Sequence, residues 1–291
     1  MKKIYDCFLF FNELDLLDIR LNLLNDVVDK FVIVESTITF SGKEKGLFFN
    51  ENRHMFEKFN DKIIHIVVDD TPENFNNISF IQNPSTQKEI FKNKVLKYLN
   101  ESSGWNRNNP NEIQWGREIY QRESIINGLL DCSDNDLIII SDVDEIPNPL
   151  ELIKIKDSNQ SDVFEFKQNM FYYNINTLKE RGWSGPKIAH WSIIKENSLN
   201  ILRQNKLTNN VVEDGGWHLS FMGGENRIKD KLEAYAHQEY NNNVIKENIV
   251  RNIQSKNDLF FRGSLSEIDI NIEFPKSLLD LITEKYQYLI K

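Results

Sequence analysis

Two cysteines, Cys7 and Cys132, leave room for one disulfide at most. Both sit in apolar, strand-like stretches far apart in the chain, so the expectation is two buried free thiols in a reducing compartment. No run approaches the roughly 18 consecutive apolar residues that a membrane span requires. The opening Met1-Lys2-Lys3 and the apolar stretch behind it have the look of a secretory leader, but only briefly. Asp6 interrupts the run, Asn12-Glu13-Leu14-Asp15 ends it, and no small-residue cleavage site follows. The stretch is read as the first core strand. The protein is expected to be cytoplasmic, with peripheral membrane association left open and no transmembrane segment.

Positive charge is scarce as well. The 35 Lys and Arg against 44 Asp and Glu leave a net charge of -9. An acidic chain has no evident electrostatic gain from a phosphate backbone, which argues against nucleic acid as a partner. A single nucleotide remains open if a metal ion supplies the missing charge. There is no internal repeat and no linker. The 291 residues are therefore read as one domain, with a nucleotide-binding half at about 1–150 and an acceptor and catalytic half at about 151–291.

What the chain does contain is an alternation of buried strands and helices. Ile4 to Phe11 is an apolar, aromatic-rich strand, and Leu14, Leu17, Leu21 and Leu24 then recur at helical spacing over Glu13 to Asn25. Phe31 to Val34, Ile63 to Val68 and Leu137 to Ile140 are further buried strands. This order predicts an α/β fold, a Rossmann-like, mostly parallel central sheet flanked by helices. Each strand runs into polar or acidic residues, and that carboxyl edge is where open α/β sheets bind ligands. Asn74 to Asn111, polar and Asn-rich with Pro84 and Pro110, predicts a mobile insertion with a helix near Lys88 to Leu99. Residues 163–220 read as mixed strands and loops, and Ile228 to Tyr240 and Asn243 to Gln254 as helices.

The sharpest motif is Ile140-Ser141-Asp142-Val143-Asp144-Glu145-Ile146-Pro147. In an extended segment alternate side chains share a face, so Asp142 and Asp144 would point the same way. Two such carboxylates suit a hard divalent ion, Mn²⁺ or Mg²⁺, which would bridge diphosphate oxygens and absorb the charge of a departing nucleoside diphosphate. The plainer reading is an acidic turn capping the helix after Pro147. A second cluster is Glu213-Asp214-Gly215-Gly216-Trp217-His218. His218 could complete the metal shell, and Asp214 or Glu213 could take the proton of an acceptor hydroxyl. The plainer reading there is a turn with a buried Trp and a hydrogen-bonded His.

Seven ordered segments together resemble glycosyltransferase family 17. They are Asn12 to Leu21, Val34-Glu35-Ser36 with Thr39 to Gly42, Trp115 to Glu118 with Gln121-Arg122, Ser141 to Pro147, Gly182-Trp183, Gly216 to Ser220 and Ala236 to Tyr240. The resemblance implies a GT-A type fold and an inverting transfer from a UDP-sugar, N-acetylglucosamine foremost, to a glycan or polysaccharide hydroxyl. It makes Asp144 and His218 metal ligands, places Asp142 on the donor ribose or on the metal through water, and prefers Asp214 to Glu213 as base. Animal members of the family carry a membrane anchor and a cysteine-containing stretch after the Trp-His pair, where this chain has Leu219-Ser220-Phe221-Met222. A bacterial or viral surface glycan is accordingly the expected acceptor.

Asn12, Glu13 and Glu35, just past the first two strands, are candidates for the nucleotide. Arg117 and Arg122 are candidates for phosphate, with Lys43 and Lys45 behind them. Trp183 and Trp217 could stack on a sugar face. His237, read in a helix with Glu239, could be an acceptor contact or a structural hydrogen bond. Two rivals are a nucleotidyltransferase and a glycan-binding protein that kept the fold without catalysis. The former would carry a Gly-rich basic loop where this chain has Asn12-Glu13-Leu14-Asp15. The latter would have no reason to retain Asp142, Asp144, Asp214 and His218.

Overall fold

The computed structural model describes residues 2–75, 79–101, 112–158, 162–204 and 210–290. Strands β1 (Ile4–Phe10), β2 (Lys30–Ser36), β3 (Ile63–Val68) and β4 (Leu137–Asp142) fall on the four predicted runs. They pair in parallel in the order β3-β2-β1-β4. The register sets Leu9 opposite Asp142 and Phe10 opposite Glu35, so the polar ends of β1, β2 and β4 share one edge.

Side chains alternate across this sheet and make two separate apolar layers. Tyr5, Cys7, Leu9, Val32, Val34, Ile138 and Ile140 face one way, against the helices Gln87–Glu101 and Ile113–Glu123. Ile4, Phe8, Phe10, Phe31, Ile33, Leu137 and Ile139 face the other way, with Leu17, Leu21 and Leu24 of helix Leu14–Leu24. Burial on both faces is why β1, β2 and β4 read as continuous apolar runs.

The sheet continues into the second half through β5 (Glu145–Pro147), β6 (Phe164–Tyr172), β7 (Thr177–His190), β8 (Asn210–Val212), β9 (Gly216–Ser220) and β10 (Ser266–Glu267). β7 runs antiparallel to β4, and the path β4-β7-β6-β9-β5 brings the chain back beside the end of β4. Five of the nine strand pairs among the described residues are parallel.

Four local readings change. Val143 and Asp144 form a turn between β4 and β5, so the acidic motif is not extended. The helix expected over Ile228 to Tyr240 is Gly224–Ala234 alone: Tyr235 leaves helical geometry at ψ 173°, and His237 precedes a short 3₁₀ turn, Gln238–Tyr240. The helix expected over Asn243 to Gln254 is broken at Asn248 into Asn243–Glu247 and Ile249–Gln254. Cys132 lies in the loop before β4, partly exposed, whereas Cys7 is buried, and both thiols are free. Within the polar stretch 74–111 the helix Gln87–Glu101 is present, while 76–78 and 102–111, Pro110 included, lie outside the described residues. Among the described residues no helix is long and apolar enough to cross a membrane.

Candidate active site

The carboxyl edge of β1, β2 and β4 opens into a cleft of about 1290 Å³. Its floor is the turn Asp142 to Glu145. Its walls come from Phe10, Phe11 and Glu13 after β1, Ile38 to Phe40 after β2, and Trp115, Glu118, Gln121 and Arg122 of helix Ile113–Glu123. Trp183 of β7, His218 of β9, and Lys231 with the Ala234 to His237 segment close the far side. The loop after β3 stays out of the cleft. There Asp70 accepts from the Tyr120 hydroxyl at 3.0 Å and from Lys92.

The floor is anchored from below. Arg20, fully buried on helix Leu14–Leu24, meets the buried Asp6 carboxylate with two bonds, Nε–Oδ2 at 2.7 Å and Nη2–Oδ1 at 2.6 Å. Its remaining donors reach the carbonyls of Asp142, Val143 and Glu145 at 2.9, 3.2 and 2.8 Å, and Ser141 Oγ at 2.7 Å. A planar guanidinium with five donors can tie this many acceptors at once, and a lysine cannot. Arg20 and Asp6 were assigned no role from sequence. The signal was there, as an acid inside an otherwise apolar strand and a cation on the strand-facing side of the next helix.

Above this anchor the carboxylates diverge because the chain turns between them. Asp142 Oδ1 accepts from Arg122 Nη1 at 3.0 Å, and Arg122 Nη2 donates to Glu118 at 2.9 Å. Asp144 Oδ2 accepts from Lys231 Nζ at 2.6 Å and lies 3.5 Å from His218 Nε2. Burial pushes the Asp144 carboxyl up, but Lys231 and His218 outweigh it and hold the group well below the usual carboxylate range. Asp142 is likewise held down, burial being outweighed by Arg122 and Arg203. Glu145 goes the other way. Burial raises its pKa, Arg203 opposes without prevailing, and Asp142 adds to the rise.

Glu145 pairs with Arg203 and accepts the Asp142 backbone N–H at 3.2 Å. Arg203 is itself placed by Glu123. The Glu123 carboxylate receives the backbone N–H groups of Leu199 and Asn200 at 3.1 and 2.9 Å, and the Ser198 hydroxyl, at the start of helix Leu199–Gln204. The guanidinium of Arg203 lies 5.6 Å from the Trp183 ring centre, and that indole tilts against His218 at 4.2 Å. Neither Arg203 nor Lys231 was singled out from sequence, because each sits on a helix with no local motif.

The structure divides the remaining candidates. Glu13, Lys45, Arg122, Trp183 and His237 line the cleft together with Asp142, Asp144 and His218. His237 packs edge-on to Trp115 at 4.7 Å, and its Nδ1 lies 2.7 Å from Glu239. Glu35 is buried behind the cleft, where its carboxylate takes the Phe49 N–H and His65 Nε2. Arg117 donates to the Phe40 carbonyl and packs against Gly42, bracing the 39–42 turn. Asn12 borders a small recess with Arg227 and Lys231 rather than the cleft. Lys43 pairs with Glu233 on the surface.

The Glu213 to His218 stretch is split. Pro147 pairs with Gly216 and Glu145 with His218, so His218 enters the cleft while Glu213 and Asp214 lie beyond the opposite end of β9, exposed. Asn148 Nδ2 donates to the Asp214 carbonyl and carboxylate at 3.1 and 3.3 Å, and Asn148 caps helix Pro149–Asp157. Gly216 holds φ at +114°, and a Cβ there would meet the Ile146 carbonyl at 2.2 Å. Trp217 turns into the core, its Nε1 on the Glu273 carbonyl at 3.2 Å and its ring against Phe274.

The profile of "Glycosyltransferase family 17" matches residues 1–100 and 77–264. A 63-residue stretch is 40% identical to the "Beta-1,4-mannosyl-glycoprotein 4-beta-N-acetylglucosaminyltransferase" of Homo sapiens and to that of Rattus norvegicus, covering 21% of this chain and 12% of each relative. The chain thus aligns with about an eighth of those proteins' length. A solved structure, HddC from Yersinia pseudotuberculosis complexed with GMP-PN, superposes at a TM-score of 0.31 and 12% identity over 77% of this chain and 91% of that one, too loosely to bear on the site. With the profile matching most of its length, the chain belongs to glycosyltransferase family 17.

Proposed function

We propose that this chain is an inverting, metal-dependent transferase of GT-A type that moves N-acetylglucosamine from a UDP-sugar to a hydroxyl of a surface glycan or polysaccharide. The observation that carries the reading is the meeting of Asp142, Asp144 and His218 on the floor of one cleft at the carboxyl edge of the parallel strands. The cleft exceeds the roughly 300–1,000 Å³ of single-ligand pockets, which suits a donor and an acceptor held side by side. The choice of sugar rests on the names of the two relatives.

The donor set suits a divalent ion in part. Asp144 Oδ2 and His218 Nε2 lie 3.5 Å apart, near enough to share one cation. No group of three or more His, Cys, Asp or Glu converges among the described residues. Asp144 and His218 would therefore hold Mn²⁺ or Mg²⁺ with the remaining ligands drawn from diphosphate and water, as Mg²⁺ commonly is held. When bound, the ion supplies positive charge to the departing UDP.

The chain's own residues do the rest. Arg122, fixed by Asp142 and Glu118, faces the diphosphate end. Trp183 and the Trp115–His237 pair offer aromatic faces for the acceptor sugar. Asp214 and Glu213 lie outside the cleft, so the base is sought among the carboxylates that line it. Glu145 is the one whose burial raises its pKa, which strengthens it as a proton acceptor at neutral pH. In this reading Glu145 takes the acceptor proton, and the oxygen attacks the anomeric carbon on the face opposite UDP. The C–O bond to diphosphate breaks as the new C–O bond forms, UDP departs and the configuration inverts.

The test is UDP release from a panel of UDP-sugars with Mn²⁺, using EDTA and Asp144→Ala as controls. Glu145→Gln should lower kcat by at least ~100-fold with UDP binding retained, the range expected for loss of a general base. Asp214→Asn should stay close to wild type. An inactive Asp214→Asn beside an active Glu145→Gln would move the base back to Asp214. Wild-type protein that binds no nucleotide sugar would end the reading.

A further inference from the structure

Among the described residues four cations line the cleft: Lys45, Arg122, Arg203 and Lys231. Arg122 is held by Asp142 and Glu118, Arg203 by Glu145, and Lys45 lies 3.7 Å from Glu35 behind the wall. Lys231 differs from these. Its ammonium rests on Asp144 Oδ2, the same oxygen that His218 approaches. A divalent ion of the Mg²⁺ class sits roughly 2.0–2.1 Å from a carboxylate oxygen. An ammonium 2.6 Å from that oxygen would then be only a few ångströms from the ion, on a carboxylate that is itself buried. The two cations exclude each other there.

Lys231 has somewhere to go. It projects from the last turn of helix Gly224–Ala234 on a four-carbon stem, beside the Phe221 ring at 5.4 Å. Its side chain is a quarter exposed and opens on the cleft. A flexible lysine can follow a moving charge in a way the braced Arg122 cannot. A nucleoside diphosphate brings negative charge into a cleft already lined by Glu13, Asp142, Asp144 and Glu145. Among the described residues, the cation set free when Asp144 changes partner is Lys231.

We propose that Lys231 is an exchangeable tethered cation: it neutralises Asp144 in the empty enzyme and moves onto the diphosphate of the donor when a divalent ion takes Asp144. This rests on the transferase reading above and adds a residue to it. Metal and lysine compete before the donor arrives and cooperate afterwards.

The two phases carry opposite signs, and both can be read without turnover. Mn²⁺ binding in the absence of nucleotide, followed by electron paramagnetic resonance, should tighten roughly tenfold in Lys231→Met, because its competitor is gone. UDP binding at saturating Mn²⁺, followed by calorimetry, should weaken roughly tenfold in the same variant. Lys231→Arg should restore UDP binding. Lys231→Gln, which keeps a donor and a similar shape, provides a second folded variant with the same pair of signs. The same sign in both measurements, or a change in only one, overturns the exchange while leaving the transferase intact. Wild-type protein that binds neither Mn²⁺ nor UDP would instead remove the reading on which it rests.

Discussion

The two acidic motifs, Asp142 to Glu145 and Glu213 to His218, look alike as sequence and are used in opposite ways. The first is a tight turn whose three acids all face the cleft. The second is cut in two by Gly215 and Gly216, which pass so close to β6 and β5 that His218 faces inward while Asp214 ends up on an exposed corner holding Asn148. The difference lies in what supports each backbone. Beneath the first motif a buried side chain gathers the carbonyls. Along the second, strand pairing alone decides which residues face in.

That contrast can be broken most severely at Arg20. Arg20→Met leaves Asp6 buried without its partner and frees three carbonyls of the motif, so a loss of about 3–5 kcal/mol in urea unfolding is expected. The double variant Asp6→Leu/Arg20→Met should recover part of that stability without recovering UDP binding. Full recovery of binding in the double variant would mean that the motif holds its shape unaided.

The second motif should fail at its glycine. Gly216→Ala forces a side chain into a positive φ and against the Ile146 carbonyl, costing about 1–3 kcal/mol from the dihedral alone. Parting β9 from β5 would also carry His218 away from Asp144, so Mn²⁺ affinity should fall with stability. Stability lost with Mn²⁺ affinity unchanged would uncouple His218 from the ion. The smallest effect is expected at Asp214→Ala, about 0.5 kcal/mol of stability from one partly buried hydrogen bond, with turnover near wild type.

The parallel half was largely legible. Phe31 to Val34 and Leu137 to Ile140 are apolar because both of their faces are covered, and their polar ends border the cleft, whereas Ile63 to Val68 runs half exposed along the sheet edge and ends away from it. The helix after β1 was legible from its leucines. The second half was less so. Ala234-Tyr235-Ala236 contains no glycine or proline, yet the helix stops there, and Trp217 faces the core because Phe274, 57 positions on, packs against it. Glu35 looked like a ligand contact by its place at a strand end, but the N–H groups that satisfy it come from the short helix Phe48–Glu51, which no local pattern announces. Lys231 and Arg203 came into view only with the cleft itself, since each reaches it from a helix that carries no motif of its own.

Arg20 also has a bearing on the order of assembly. Its partner Asp6 lies 14 residues away, but the carbonyls it gathers are 122 to 125 residues further along the chain. Contacts of such separation pay their loop-closure entropy before they return anything. During synthesis the Asp6–Arg20 pair can form as soon as β1 and its helix have emerged, with several guanidinium hydrogens still awaiting acceptors. The first strand and helix would then wait, half satisfied, for β4, and the turn Asp142 to Glu145 would settle only once β4 has joined them.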